Sequence, residues 1–200
     1  YIQDSKQYKK EFAERIRAYN EYIEKKKQEI ETSREKELRV RNLIYESLED
    51  SIEEADHFGR RLFERSYGEE DFLQVYLGKG RIQAANQVAY SKQEFIDMED
   101  PLAPIPEEVA ESYRYIENAP IISDFQGSNG VGIVGNRTDL WQMLKNITLD
   151  VAIRHFYEDV RFVYILDEES AEKMEWVRWL RNVENTNLDV RNIVCDDESK

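Results

Sequence analysis

The sequence predicts an α/β protein: a largely parallel sheet covered by helices, preceded by a long solvated helical segment and a small β-hairpin region. Three observations carry that expectation. From Asp4 to about Tyr45 there is no Gly or Pro, and strong helix formers dominate. Around Asp71 the apolar period falls to two. From Val131 onward, short apolar runs alternate with helical patterns: "VGIVG", a helix over 139–157, "VRFVYIL", a helix over 170–180, then "VRNIV". Continuous apolar strands separated by helices are the signature of a parallel sheet buried on both faces. Two parts are expected, a helical one over 1–66 and an α/β one over 67–200.

The first helix carries Tyr8, Phe12, Ile16, Tyr19, Ile23 and Ile30 on one narrow stripe, with opposite charges often three or four residues apart around it. So thin a stripe suits a protruding helix packed against a single partner, or half of a helical hairpin. Ser47 and Asp50 have capping-box spacing and place a second helix start near Leu48, with Leu48, Ile52, Ala55 and Phe58 or Gly59 inward. His57 has no neighbouring ligand type and reads as an ordinary helix residue. "DFLQVYLGKGRI" (71–82) alternates as a strand that Gly78 and Gly80 break, and "QVAYSKQEF" (87–95) is a weaker strand that would complete a hairpin. Pro106 fits the first turn of a short helix reaching about Glu117, with Glu107 and Glu108 at its positive end. Pro120 ends that helix, and "IISDF" (121–125) is a third strand. In the next helix Leu140, Leu144, Ile147 and Val151 form a stripe that closes on a structural His155.

Bulk composition bounds the function. The chain has 200 residues, is 40% hydrophobic and 35% charged, and carries a net charge of −14. That charge argues against general binding to nucleic acid or to an anionic membrane surface. Cys195 is the single cysteine, which leaves no partner for a disulfide within the chain or for a cysteine zinc site. The acidic clusters "GEED" and "CDDES" lack the ligand order of a hard-cation loop and read as solvated loops, so no metal site is expected. A start without Met and an end among charged residues suggest a piece of a longer protein.

"SNGVGIVGNRTDLW" invites a nucleotide reading, because Gly130, Gly132 and Gly135 have GxGxxG spacing. A dinucleotide fingerprint places its glycines in the turn after the strand, where backbone N–H groups meet pyrophosphate. Here Val131, Ile133 and Val134 lie inside the motif, so the strand would run through the first two glycines. A phosphate loop starting at Gly135 would put Leu140, Trp141 and Gln142 where Gly, Lys and Ser belong, and an indole cannot screen a triphosphate. Starting at Gly130 puts Asn136 and Arg137 in the Lys and Ser places. The loop Gly135, Asn136, Arg137 and Thr138 is therefore a degenerate nucleotide loop, expected not to hydrolyse, although a helix start there still attracts anions weakly.

With those residues in view, the chain resembles the FtsK/SpoIIIE-type membrane ATPases of type VII secretion, the EssC/EccC group. "RRLFERSYGEEDFLQVYLGKG" (60–80) resembles that group's R-L-[WF]-E-R box and following strand, with Phe63 where Trp is commoner. "NGVGIVGNRTDLWQMLKNITLDVAIRHF" and the tryptophan box "EWVRWLRNV" resemble the next stretch. The resemblance spans nearly the whole chain. It implies a RecA/Rossmann-like domain without the phosphate-loop lysine, lying between transmembrane helices and a tandem array of ATPase domains at the cytoplasmic face of the bacterial cell membrane. It implies a non-catalytic coupling module within a parent that exports WXG-type proteins, with ATP and magnesium in downstream domains. Implied partners are a ubiquitin-like cytosolic domain and subunits of the membrane complex.

On that reading Arg61, Leu62, Phe63, Glu64 and Arg65 join the helical stalk to the α/β part, and Trp176 and Trp179 are interface candidates. Packing alone would also explain at least one of the two tryptophans. Asp167, in "LDEES" after a strand, has the look of a magnesium-binding carboxylate but belongs by order to a structural turn. The alternatives are an active ATPase using the Gly135 loop and a DNA-translocase segment, the latter disfavoured by the net charge.

Overall fold

A computed structural model describes residues 2–91 and 100–195 of the chain, and side chains from residue 6 onward. The elements are α1 (Ile2–Ile44), α2 (Leu48–Asp56), β1 (Gln74–Gln83), α3 (Ile105–Ser112), β2 (Tyr115–Asp124), α4 (Arg137–Arg154), β3 (Tyr164–Ile165), α5 (Glu168–Lys173), β4 (Glu184–Asn185), β5 (Val190–Arg191) and β6 (Ile193–Val194). Two 3-10 turns, Glu175–Trp179 and Arg181–Val183, follow α5. The chain is mixed α/β, with a long N-terminal helix and three two-stranded sheets among the described residues. It divides into two compact units, Tyr1–Ile44 with Lys79–Ala119, and Tyr45–Gly78 with Pro120–Lys200. Residues 45–66 thus group with the later unit.

In the first unit α1 buries the expected stripe: Ile23 is buried, and Phe12, Ile16, Tyr19 and Ile30 are half-buried. Tyr8, at its start, is exposed and stacks on Phe12. Leu38 and Ile82 pack on a small core of Ala84, Ile116 and Ala119. Arg34 fastens α1 to the strand ends by donating to the carbonyls of Tyr113 and Asn86 at 3.0 and 2.7 Å.

The expected hairpin takes a different form. β1 pairs with β2, and the bonds Ala84 N–H to Arg114 O and Phe125 N–H to Leu73 O fix an antiparallel ladder. Residues 87–91 form no strand, and the rest of the 87–95 candidate lies outside the described residues. Gly78 and Gly80 do not break β1. Gly78 has φ +138°, a conformation that L side chains rarely adopt, so glycine lets the strand distort and continue. The helix expected to reach Glu117 stops at Ser112, and Pro120 sits inside β2. A two-stranded sheet leaves each strand one open edge, where a proline costs no ladder bond.

In the second unit the Ser47–Asp50 capping box forms as expected, with Ser47 Oγ accepting from Asp50 N–H and the Asp50 carboxylate accepting from Ser47 N–H. The inner face of α2 is Leu48 and Ser51, while Ile52 and Phe58 are exposed. A parallel pair is present but short: Tyr164 and Ile165 pair with Ile193 and Val194. The expected strand over 131–135 does not form, because no partner ladder reaches it. A strand exists only as a pair, so apolar sequence alone is insufficient.

Candidate functional site

α4 organises the functional candidates at both of its ends. At its start, Asn136 is the N-cap: its Oδ1 accepts from Asp139 N–H at 3.0 Å and its amide donates to the Asp139 carboxylate. Asp139 therefore brings its negative charge to the positive end of the helix. Arg137 ion-pairs with Glu169 at 3.0 Å, and Glu169 also accepts from Lys173 at 2.7 Å. Those two partners, Lys173 first, hold the Glu169 carboxyl below its usual range. Gly135 lacks the positive φ of a backbone anion nest, and Leu140 packs beside it. Trp141 lies 5.7 Å from the Lys173 ammonium, ring to charge. Asp167 is the N-cap of α5 and accepts from Ser170 N–H at 2.7 Å. Among the described residues no group of His, Cys, Asp and Glu is arranged to hold a metal ion.

The far end of α4 holds a buried charge network. Arg154 donates to Asp150 at 3.1 Å, to Glu64 at 2.5 Å and to Ser51 at 2.7 Å. Asp150 spends its other oxygen on Tyr76 N–H at 3.0 Å, fixing β1 to α4. Arg65 is also buried, pairs with Asp71 at 3.7 Å and donates to the Gln74 carbonyl. Burial first, and then the Arg154 charge, draws the Arg65 guanidinium below its usual pKa. The box 61–65 thus joins α4 by side chain and backbone, since Phe63 and Arg65 N–H groups donate to the carbonyls of Ile153 and Arg154 at 2.9 Å. Phe63 meets Phe156 edge-on, and Arg61 bridges Glu46 and Glu64 at 2.6 and 3.3 Å.

His155 closes this network. It is fully buried, its Nε2 accepts the Leu73 N–H at 3.0 Å, and its Nδ1 faces the Val151 carbonyl at 3.1 Å. An accepting Nε2 requires the proton on Nδ1, so the ring is neutral. Burial lowers its pKa, and the nearby Arg65 charge works in the same direction. The helix expected to reach Tyr157 ends at Arg154 because His155 turns extended and bridges to Arg65.

Sequence reading named Arg65, Glu64 and His155 but missed Asp150, Arg154 and Ser51. The available signal was "LDVAIRH", where Asp and Arg stand four apart around the apolar stripe. Trp176 is half-buried and Trp179 is 83% exposed, in a 3-10 turn where a regular helix was expected.

Aligned with known proteins, the whole chain is 24% identical over 200 residues to the type VII secretion system protein EssC of Staphylococcus aureus strain MSSA476. It is 25% identical over 201 residues to the ESX secretion system protein EccC of Geobacillus thermodenitrificans strain NG80-2. Its homologues are EssC and EccC type VII secretion proteins. The chain spans 14% of the length of each of these relatives. No family model matches it. No described helix is long and apolar enough to cross a membrane.

Proposed function

We propose that the chain is a non-catalytic, membrane-proximal coupling module of a type VII secretion ATPase of the FtsK/SpoIIIE kind. The helical segment 1–66 acts as its stalk and 67–200 as a degenerate RecA/Rossmann-like domain. One observation carries the reading: the groups at the glycine loop that would receive phosphate are already committed. Asn136 and Asp139 close the helix start, and Glu169 neutralises Arg137. Trp141 stands where an ammonium is needed, so these residues do not fit a nucleoside triphosphate. The parallel β3–β6 pair supports the fold assignment, and the relatives' names support the secretion assignment.

In this reading the parent is held at the cytoplasmic face of the bacterial membrane by helices preceding this segment. ATP and magnesium act in later domains, and WXG-type proteins are the exported substrates. The module transmits position or motion from membrane to motor and docks a ubiquitin-like cytosolic domain or membrane-complex subunits. The exposed Trp179 is the docking candidate.

Calorimetric titration with ATP and magnesium, together with a phosphate-release assay, tests the assignment. We expect no saturable binding below the millimolar range and no turnover. Micromolar, magnesium-dependent binding with hydrolysis would overturn it in favour of an active ATPase using the Gly135 loop. Salt-dependent DNA binding near physiological ionic strength would favour a translocase segment.

A further inference from the structure

The second unit carries an open sheet edge and an unpaired strand that match each other. In β3 and its flanks, Phe162, Tyr164 and Leu166 donate to the carbonyls of Asn182, Asn192 and Val194. Main-chain groups alternate between the two edges of a strand, so those of Arg161, Val163 and Ile165 face the other edge. Among the described residues nothing hydrogen-bonds there. The Val163 and Ile165 side chains are 64% and 66% exposed. The usual guards of such an edge are charges, prolines or bulges. Arg161 is the charge available, and it turns back to the carbonyls of Arg181 and Glu184 at 3.3 and 3.1 Å.

Residues 131–134 supply the counterpart. Val131, Ile133 and Val134 are exposed, Val134 at 99%, and the backbone of 130–134 makes no hydrogen bond among the described residues. A Cβ built on Gly130 or Gly132 would meet nothing within 4 Å, so the main chain there is open to an incoming strand. Edge and segment are alike in length and both are rich in β-branched residues, as strands require. The fold does not pair them within one chain.

We propose that residues 131–134 of one copy lie along the free edge of β3 in a second copy, exchanged in both directions to give a two-fold dimer. This inference is independent of the coupling role.

Sedimentation velocity from ~1 to ~500 µM, the range of weak contacts, tests it. A monomer–dimer equilibrium is expected. Val134→Lys and Ile165→Lys should each weaken it by about tenfold or more, since each buries a lysine head in the exchanged pairing. Val134 is almost fully exposed in the monomer, so its lysine variant keeps the fold, which circular dichroism verifies. A monomer at every concentration, or a dimer indifferent to both lysines, would overturn the proposal.

Discussion

Two ion pairs of the same helical spacing stand in opposite surroundings. On α1, Arg17 meets Glu21 at 3.0 Å with both side chains in water, 82% and 68% exposed. On α4, Asp150 meets Arg154 at 3.1 Å with both in the interior, 0% and 1% exposed. The geometry is nearly identical and the physics is not. In water the attraction is screened and weighed against side-chain entropy. In the interior each charge has lost its hydration, and the partner is what keeps it tolerable. The contrast extends to the units around them. Every buried polar or charged side chain among the described residues, from Ser51 to Asn182, lies in the second unit. The first unit has an apolar stripe and an alanine-rich core instead.

The largest expected effect follows from removing the interior cation. Arg154→Leu leaves Asp150 buried without its countercharge and strips Glu64 and Ser51 of a donor. Loss of one partner from a buried pair costs roughly 3–5 kcal/mol, a large part of the stability of an ordinary domain. Urea unfolding should show this in the midpoint. A loss below about 1 kcal/mol would mean that Asp150 is hydrated in solution, and the contrast with α1 would disappear.

His155 gives the next effect. Its folded pKa lies below the ordinary histidine value of about 6.5, so the folded state prefers the neutral ring and the unfolded chain takes up the proton first. Stability is then full above about pH 6.5, declines as pH falls below it, and levels off below the folded pKa. The slope cannot exceed ~1.4 kcal/mol per pH unit for one group. Arg65, Asp150 and Asp71 are the charged groups that act on the ring. His155→Gln retains an acceptor for the Leu73 N–H and should flatten this part of the profile. Parallel profiles for wild type and variant between pH 7 and 5 would assign the slope elsewhere.

Local features were legible in the sequence, and non-local ones were not. The α1 stripe, the Ser47–Asp50 box and the presence of α4, though not its end, depend on residues three or four apart, and each was readable from spacing. The β1–β2 ladder joins residues some 40 apart, and nothing local reported it; Gly78 and Pro120 suggested interruption where a wide, open-edged ladder absorbs both. The apolar run 131–134 misled for the same reason, since its partner is not supplied locally. In the junction, the residues of 61–65 were singled out by resemblance. Their partners Asp150 and Arg154 were hidden because a charged pair beside a stripe ordinarily faces water.

The smallest effect belongs to the exposed pair, and its smallness is informative. Arg17→Ala removes a 3.0 Å ion pair of the same spacing as the interior one. Alanine is also the better helix former, which offsets part of any loss. The expected change in unfolding free energy is within about 0.5 kcal/mol, fading further as salt rises. Measured beside Arg154→Leu in the same buffer, it sets an exposed pair against a buried network whose central pair has nearly the same distance and spacing. A loss from Arg17→Ala comparable to that from Arg154→Leu would show that this face of α1 is covered in solution, and the exposure difference on which the comparison turns would be gone.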